Sequence, residues 1–433
     1  MTTDFEVVVV GAGPAGSIAA LQLARAGIAT CLLERGPFPG SKNVYGGVIY
    51  PRVLDDILPA WRDRAPIQRV VTRRSTMLMT ETQSVSLDVR VQAWGAPPYN
   101  GITAYRGEFD QWLADEAVAA GATLVASTTA TGLRLDEGRV VGVATDRPDG
   151  DLSCSLVVAC DGVNSFLARE AGLYAAFSRH HMTLGVKEVL ALDRGELESR
   201  FNLTGREGCD IEMLGATGEI TGGGFLYTNL DTLAVGCVLK LDDLAASKRR
   251  PEEVLAAMKS HPSIAPLVAG TELVEYAAHL IPEGGYDAMP TLGRPGIVVA
   301  GDAASMTLAA GVWLEGVNFA MAAGAIAARA AVLARREPDG LAATHRHYAR
   351  LLADSFVIKD HVRLRRAPGV VFSEFVQHVQ PGLVCDVAES FFTVANPAAK
   401  PGLLRTIRRT MRTRGIGTLA ALRSAVATIR VFR

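Results

Sequence analysis

No CxxC pair and no cysteine–histidine spacing of the zinc-site kind occurs in the sequence. The six cysteines (Cys31, Cys154, Cys160, Cys209, Cys237 and Cys385) fall mostly inside apolar runs and read as buried free thiols. That argues against any metal site or iron–sulfur cluster held by this chain and for a reducing compartment. The eight histidines lack HExxH spacing and read as structural or exposed. No Ser/His/Asp or Cys/His arrangement stands out. An excess of one charge is also missing: 44 Lys and Arg face 45 Asp and Glu, a net charge of −1, so no global field recruits nucleic acid. Asp4 and Glu6 run straight into the first apolar segment, with no secretory n-region or h-region. The most apolar long stretch, residues 300–334, is broken by Asp302, Glu315, Asn318 and Arg329. No window reaches the roughly 18 uncharged apolar residues of a spanning helix. The expected location is cytoplasmic, either in solution or held at a membrane surface.

What is present is 433 residues, 49% apolar, 21% charged and with 43 glycines. Two or three domains are the prior for that length, and the glycine load suits a fold with close backbone approaches to a ligand. Residues 6–35 organise the rest. An apolar run (residues 6–10) turns through Gly11-Ala12-Gly13-Pro14-Ala15-Gly16, continues as an Ala/Leu-rich helix to Gly27, and a second apolar run (29–33) ends on Glu34. In this strand–turn–helix–strand pattern Gly11 permits the tight turn, Gly13 admits a pyrophosphate to the backbone, and Gly16 lets helix and strand pack. The helix start offers free N–H groups and a positive dipole end. Glu34, 18 residues past Gly16, suits ribose hydroxyls. This is a dinucleotide site.

After Glu34 a Gly/Pro-rich stretch (35–47) predicts a long loop leaving the site towards the reactive end of the dinucleotide. Short β-like runs follow at 68–79 and 85–94, then a helix over 109–120 and strands at 123–126 and 156–160, with a hairpin over 131–145 between them. From about 172 to 278 strand-like runs at 184–192, 225–227 and 233–241 predict a separate, mainly antiparallel sheet inserted into the first domain, with one helix at 251–259. The nucleotide pattern resumes at 296–302 and a helix over 316–334. Residues 400–433 carry nine Lys or Arg and no acid. There Leu404, Ile407 and Met411 share one helical face and Arg405, Arg408, Arg409 and Arg412 another; Leu419, Leu422, Val426 and Ile429 repeat the spacing. Such a tail either lies on an anionic membrane or acidic partner, or packs on its own domain with a solvated Arg face.

The motifs GAGPAG…LLERG, YRGEFDQWLADEA, VVACDGVNS and VVAGDAAS, in that order over essentially the whole chain, resemble the flavoprotein superfamily of aromatic hydroxylases and geranylgeranyl reductases. PGSKNV at 39–44, GGGFLYTN at 222–229 and VEYAAHLIPEGG at 274–285 narrow the resemblance to the short FixC-type branch of electron-transfer-flavoprotein:quinone oxidoreductases. The resemblance implies an α/β chain, α+β overall. Its expected parts are a Rossmann-type FAD-binding domain (1–65, 100–171 and 286–340), an inserted β-sheet domain on the substrate or quinone side (66–99 and 172–285) and a helical C-terminal region (341–433). It implies noncovalent FAD. On this mapping the pyrophosphate lies on Gly11, Gly13, Pro14, Ala15 and Gly16, with Arg106 supporting it. The adenosine ribose meets Glu34 beside Arg35, and Lys42, Asn43 and Val44 of the loop approach the cofactor. Asp302 would take the ribityl chain, with Gly301, Gly311 and Asn318 towards the pyrimidine end. Asp161-Gly162 would either contact FAD or only cap the following helix.

The flavin would carry the chemistry, so no catalytic side chain is assigned; Tyr45, Trp313 and Glu315 are pocket candidates. The larger members of this group hold a cysteine-ligated cluster that this chain lacks, which implies a separate ferredoxin-like partner. Glu315 stands about where the branch usually carries an Arg, and an acid there disfavours an anionic reduced ring. The implied function is transfer of electrons from an electron-transfer flavoprotein towards quinone. The alternative on the same scaffold is an FAD-dependent monooxygenase, or a reductase or dehydrogenase of a prenyl or polyketide-like substrate, with its pocket between flavin and inserted sheet.

Overall fold

The computed structural model describes residues 3–42, 47–174, 178–311 and 313–433. Val7–Val10 is the middle of a six-stranded sheet in the order Gly293–Arg294, Ile297–Val299, Leu156–Ala159, Val7–Val10, Thr30–Leu33, Thr123–Val125. All neighbours are parallel except the Gly293–Arg294 edge. A parallel sheet is covered on both faces, and so its strands are uninterrupted apolar runs. The helix Pro14–Arg25 packs against Arg106–Ala119 and Val317–Ala334. A side chain on Gly324 would collide with the Ala15 carbonyl, so the alanine-rich helix approaches the first helix backbone to backbone. By length and composition alone Val317–Ala334 could cross a membrane, yet 67% of it is buried inside the fold. A small antiparallel sheet of Ala130–Asp136, Arg139–Thr145 and Leu152–Ser153 fills the crossover before Leu156–Ala159.

The second sheet is larger. Its order is Glu272–Pro282, Met182–Ala191, Thr232–Lys240, Gly222–Thr228, Glu207–Leu214, Arg69–Met79, Ile102–Thr103, Val48–Ile49, and Ser84–Arg90 pairs with Arg69–Met79. Every pair is antiparallel except Glu207–Leu214 with Arg69–Met79. Two short strands, Val48–Ile49 and Ile102–Thr103, thus join this sheet from stretches read in the sequence as part of the nucleotide half. One face of the sheet, with Ile211, Leu226, Val235 and Cys237, closes a core with Val254, Leu255 and Met258 of the helix Pro251–Lys259. Because strand side chains alternate, the neighbours Arg74, Asp210, Glu212, Phe225 and Tyr227 lie on the other face, towards the nucleotide half.

Arg69 ties four segments to this sheet. Its buried guanidinium donates to the carbonyls of Asn229 (2.5 Å), Glu207 (2.9 Å), Leu230 (3.0 Å) and Gly205 (3.2 Å), and to Glu198 (3.1 Å). The C-terminal helices leave part of their apolar faces uncovered. In Leu403–Thr413 the buried residues are Thr406, Thr410 and Met411, while Leu404 is 69% exposed. That helix packs on Gln380–Phe392, helped by Arg414 to Asp386 (2.5 Å). In Thr418–Phe432 the stripe Leu419, Leu422, Val426 and Ile429 faces outwards.

Candidate active site

A cavity of about 310 Å³ lies where the strand ends of the parallel sheet meet the open face of the large sheet. The first turn makes one wall, and its three glycines are needed for different reasons. Gly11 has φ +98°, and a Cβ there would collide with the Cys160 carbonyl oxygen. Gly16 has no room for a Cβ between the Gly11 carbonyl and Val9 Cγ1. Gly13 is extended (φ −77°, ψ −174°), and a Cβ on it would meet nothing within 4 Å, because that direction opens into the cavity. Pro14 occupies the first helical position, where no N–H is needed. The unpaired first-turn N–H groups and the positive dipole end suit an anionic group here.

Glu34 closes the cavity beside the first turn. Its carboxylate accepts the N–H of Ala12 (3.0 Å) and of Gly36 (2.6 Å), which fixes it at the rim with lone pairs left for hydroxyl donors. Arg35 and Lys42 line the same stretch. Across the cavity Arg106, at the start of its helix, is clamped by Asp110 through two bonds of 2.7 and 2.8 Å. Beside it stand Gly301, with φ +70°, and Asp302. Burial pushes the Asp302 carboxyl up from its ordinary range, while Arg106 and His279 pull it back. Asp161 caps the helix Phe166–Glu170 through the Leu167 N–H (3.1 Å), the structural half of the two expectations for it. Its other oxygen, Oδ1, is buried at the cavity wall without a hydrogen-bond partner among the described residues, and burial raises the carboxyl to about 6. Gly162 (φ +79°) lines the wall next to it.

At the opposite end Asn318 donates to Glu315 (2.5 Å), and Asn318 Oδ1 is buried without a partner among the described residues. Burial pushes the Glu315 carboxyl up. Leu308–Ala309 pairs with Leu314–Glu315 as a short hairpin. Trp313 packs edge-on against Phe432 (5.7 Å), and the open side of Gly311 faces Val371; neither residue lines the cavity. Asn43, Val44 and Tyr45 lie outside the described residues.

Several lining residues escaped sequence reading. His279, read as structural or exposed, projects from Glu272–Pro282 to the cavity beside Asp302, and burial lowers its pKa. Glu283, which follows that strand, has a buried Oε2 without a partner among the described residues, and burial pushes its carboxyl to about 7. Tyr50 completes the sheet-side wall. A second cavity of about 470 Å³, meeting the first at Gly40 and Arg106, contains Lys187, which is 4% exposed and whose pKa burial lowers. The available signal was a lone polar residue inside an apolar alternating run, as in AAHLI and GVKEVL.

These features fit FAD: the cradle left open at Gly13, an acid at the ribose position, and orphaned acceptors on Asp161 and Asn318. Residues 4–200 match the family described as FAD binding domain. Probable electron transfer flavoprotein-quinone oxidoreductase YdiS of Escherichia coli (strain K12) is 36% identical over 398 residues, 92% of this chain and 92% of that protein. FixC of Bradyrhizobium diazoefficiens is 39% identical over 395 residues, 90% of each chain. FixC of Azotobacter vinelandii is 41% identical over 375 residues, 86% of each. Among solved structures, a geranylgeranyl bacteriochlorophyll reductase-like protein of Thermoplasma acidophilum superposes with a TM-score of 0.72 at 20% identity, covering 94% of this chain and 95% of that one. The flavin-dependent halogenase CmlS does so with a TM-score of 0.62 at 18% identity, covering 95% and 78%. Those two likenesses establish the fold alone. The protein is an FAD-dependent oxidoreductase that holds its cofactor noncovalently. With relatives this similar along nine-tenths of its length, the chain belongs to the FixC and electron transfer flavoprotein-quinone oxidoreductase family.

Proposed function

We propose that the protein accepts electrons from an electron-transfer flavoprotein and passes them to a quinone. The reading rests above all on relatives named FixC or electron transfer flavoprotein-quinone oxidoreductase that match 86–94% of their own length. FAD, when bound, supplies exchange between two-electron and one-electron chemistry. The turn at Gly11–Gly16 and Arg106 hold its phosphates, Glu34 its adenosine ribose, and Asp302 its ribityl hydroxyls. The sheet end, walled by Tyr50, Val238, Ile281 and Glu315, receives the acceptor. A ferredoxin-like protein supplies the cluster chemistry this chain does not carry. The protein works at the cytoplasmic face of a membrane. Six free cysteines suit that compartment, and the outward stripe of Leu419, Leu422 and Ile429 among arginines suits an anionic bilayer surface.

Stopped-flow mixing of the FAD-loaded protein with reduced electron-transfer flavoprotein tests the reading. The flavin absorbance should bleach within seconds with that donor and hold with NADH or NADPH. Fast bleaching by NADPH, with electron-transfer flavoprotein inert, would replace it with the monooxygenase or reductase alternative. The enclosed apolar wall at Val238 and Ile281 could house the organic substrate of such an enzyme.

A further inference from the structure

The holding of FAD leaves one set of groups on the cavity side unused. Arg74 on the strand Arg69–Met79 and Asp210 and Glu212 on the strand Glu207–Leu214 share the cavity-facing side of the large sheet. Arg74 Nε donates to Asp210 (3.0 Å) and Nη2 to Glu212 (2.8 Å), and its Cζ lies 5.9 Å from the Tyr50 ring centroid. Tyr50 and Glu315 line the cavity itself; burial first, and then the charges of Asp210, Glu212 and Glu315, push the Tyr50 phenol up against the pull of Arg74. Other charges bearing on the set are Asp360 of the helix Phe356–Arg363, which acts on Glu315, and Glu283 across the cavity. Tyr227 sits opposite Asp210 on the next strand.

Three carboxyls therefore surround a single guanidinium. Asp210 is 1% exposed, and its Oδ1 lacks a partner among the described residues. A buried carboxylate beside two part-buried ones, with one guanidinium among them, is costly, which favours retention of a proton. Burial and the neighbouring Asp210 charge both push the Glu212 carboxyl up. The Glu212 side chain keeps 13% of its surface exposed, so the proton can be replaced from solvent.

We propose that Tyr50, backed by the Arg74–Asp210–Glu212 set, is the proton donor to a carbonyl oxygen of an acceptor bound at the sheet end of the cavity. The inference rests on the quinone reading above and deepens it. A quinone becomes a hydroquinone on gaining two electrons and two protons. Reduced FAD, held by the residues named above, would supply both electrons and one proton as a hydride equivalent and be oxidised. The second proton leaves the Tyr50 hydroxyl as the new O–H forms on the acceptor. Glu212 returns a proton to Tyr50 and is itself refilled from water. Arg74 is a positioning residue that keeps the two carboxyls and the phenol together.

The test uses the FAD-loaded protein, reduced photochemically and mixed without oxygen with either decyl-ubiquinone or ferricenium. Ferricenium takes an electron and no proton. Tyr50→Phe should slow reoxidation by the quinone by about a hundredfold, the usual worth of a positioned general acid, and leave ferricenium reoxidation unchanged. Glu212→Gln should flatten the pH dependence of the quinone reaction, with flavin content and midpoint potential retained. The infrared difference spectrum of flavin-free wild type minus Glu212→Gln at neutral pH should show the C=O stretch of one protonated carboxyl. Equal slowing with both acceptors, a wild-type quinone rate in Tyr50→Phe, or no protonated-carboxyl stretch in that difference spectrum would each overturn the assignment. Wild-type protein that reduces ferricenium but never the quinone defeats the parent reading, and this one with it.

Discussion

Gly13 and Gly16 are three residues apart in one turn, yet alanine at the two positions should produce opposite failures. At Gly13 the backbone (φ −77°, ψ −174°) is one that alanine adopts freely, and the added methyl meets no atom within 4 Å. The flavin-free Gly13→Ala protein should therefore be as stable as wild type or more so, since such exchanges gain about 0.4–1 kcal/mol by restricting the unfolded chain. The methyl stands, however, in the opening through which a pyrophosphate must reach the helix start. Losing one or two charge-assisted contacts at roughly 1.5–3 kcal/mol each weakens FAD binding by about two orders of magnitude. At Gly16 the new methyl has no space between the Gly11 carbonyl and Val9, so Gly16→Ala strains the strand–helix contact itself. Overpacking of this kind costs about 1–3 kcal/mol and shows without any cofactor. The assay is thermal unfolding of stripped protein beside a fluorescence titration with FAD. FAD affinity in Gly13→Ala within twofold of wild type, or a flavin-free melting temperature lowered as far as in Gly16→Ala, would refute the reasoning.

Three further outcomes follow from groups described above. Arg69→Met leaves one buried and three part-buried carbonyls without this donor and should cost about 3–5 kcal/mol, read as a lower denaturation midpoint with little change in slope. Glu283 has a folded pKa of about 7 against an ordinary 4.5. Its ionisation therefore opposes folding, with no penalty below about 4.5 and a growing one as pH rises through 7. Glu283→Gln should accordingly gain melting temperature over wild type at pH 8 and little at pH 5; a difference constant with pH would contradict this. Replacing Leu419, Leu422 and Ile429 together by Ser removes roughly 3 kcal/mol or more of apolar transfer, so sedimentation with phosphatidylglycerol vesicles should weaken at least about a hundredfold while the flavin content stays normal.

The parts of the fold legible in the sequence were those whose signal is local. Val7–Val10 and Thr30–Leu33 read as buried strands because a parallel sheet covered on both faces demands unbroken apolar runs. The turn between the first strand and its helix read as a ligand loop because its three glycines fall at the fixed spacing of a dinucleotide turn. Pairing across long separations left no such trace. Arg74 meets Asp210 from 136 residues away, and His279 reaches Asp302 only because its strand closes one edge of the large sheet. Direction failed where a partner element decides it. The hairpin ending at Glu315 sends Trp313 towards Phe432, and the tail helix buries threonines while turning Leu404 out. Helical periodicity identifies an apolar face but not what covers it.

The two ends of the cavity have opposite electrical characters, and that contrast ties the site together. Towards the first helix stand Arg35, Lys42, Arg106 and a dipole end, all suited to phosphates. Towards the sheet stand Glu283 and Glu315, with Asp210 and Glu212 behind Tyr50 and Arg74 bonded to both. Acids gathered at the ring end make an added negative charge there more costly, so electrons arriving at that end draw protons with them. A site built only to hold a cofactor needs the first end. Under the proposed function the second end would couple electron arrival to proton uptake, through the carboxyls at Glu283, Glu315 and Glu212, each pushed up by burial.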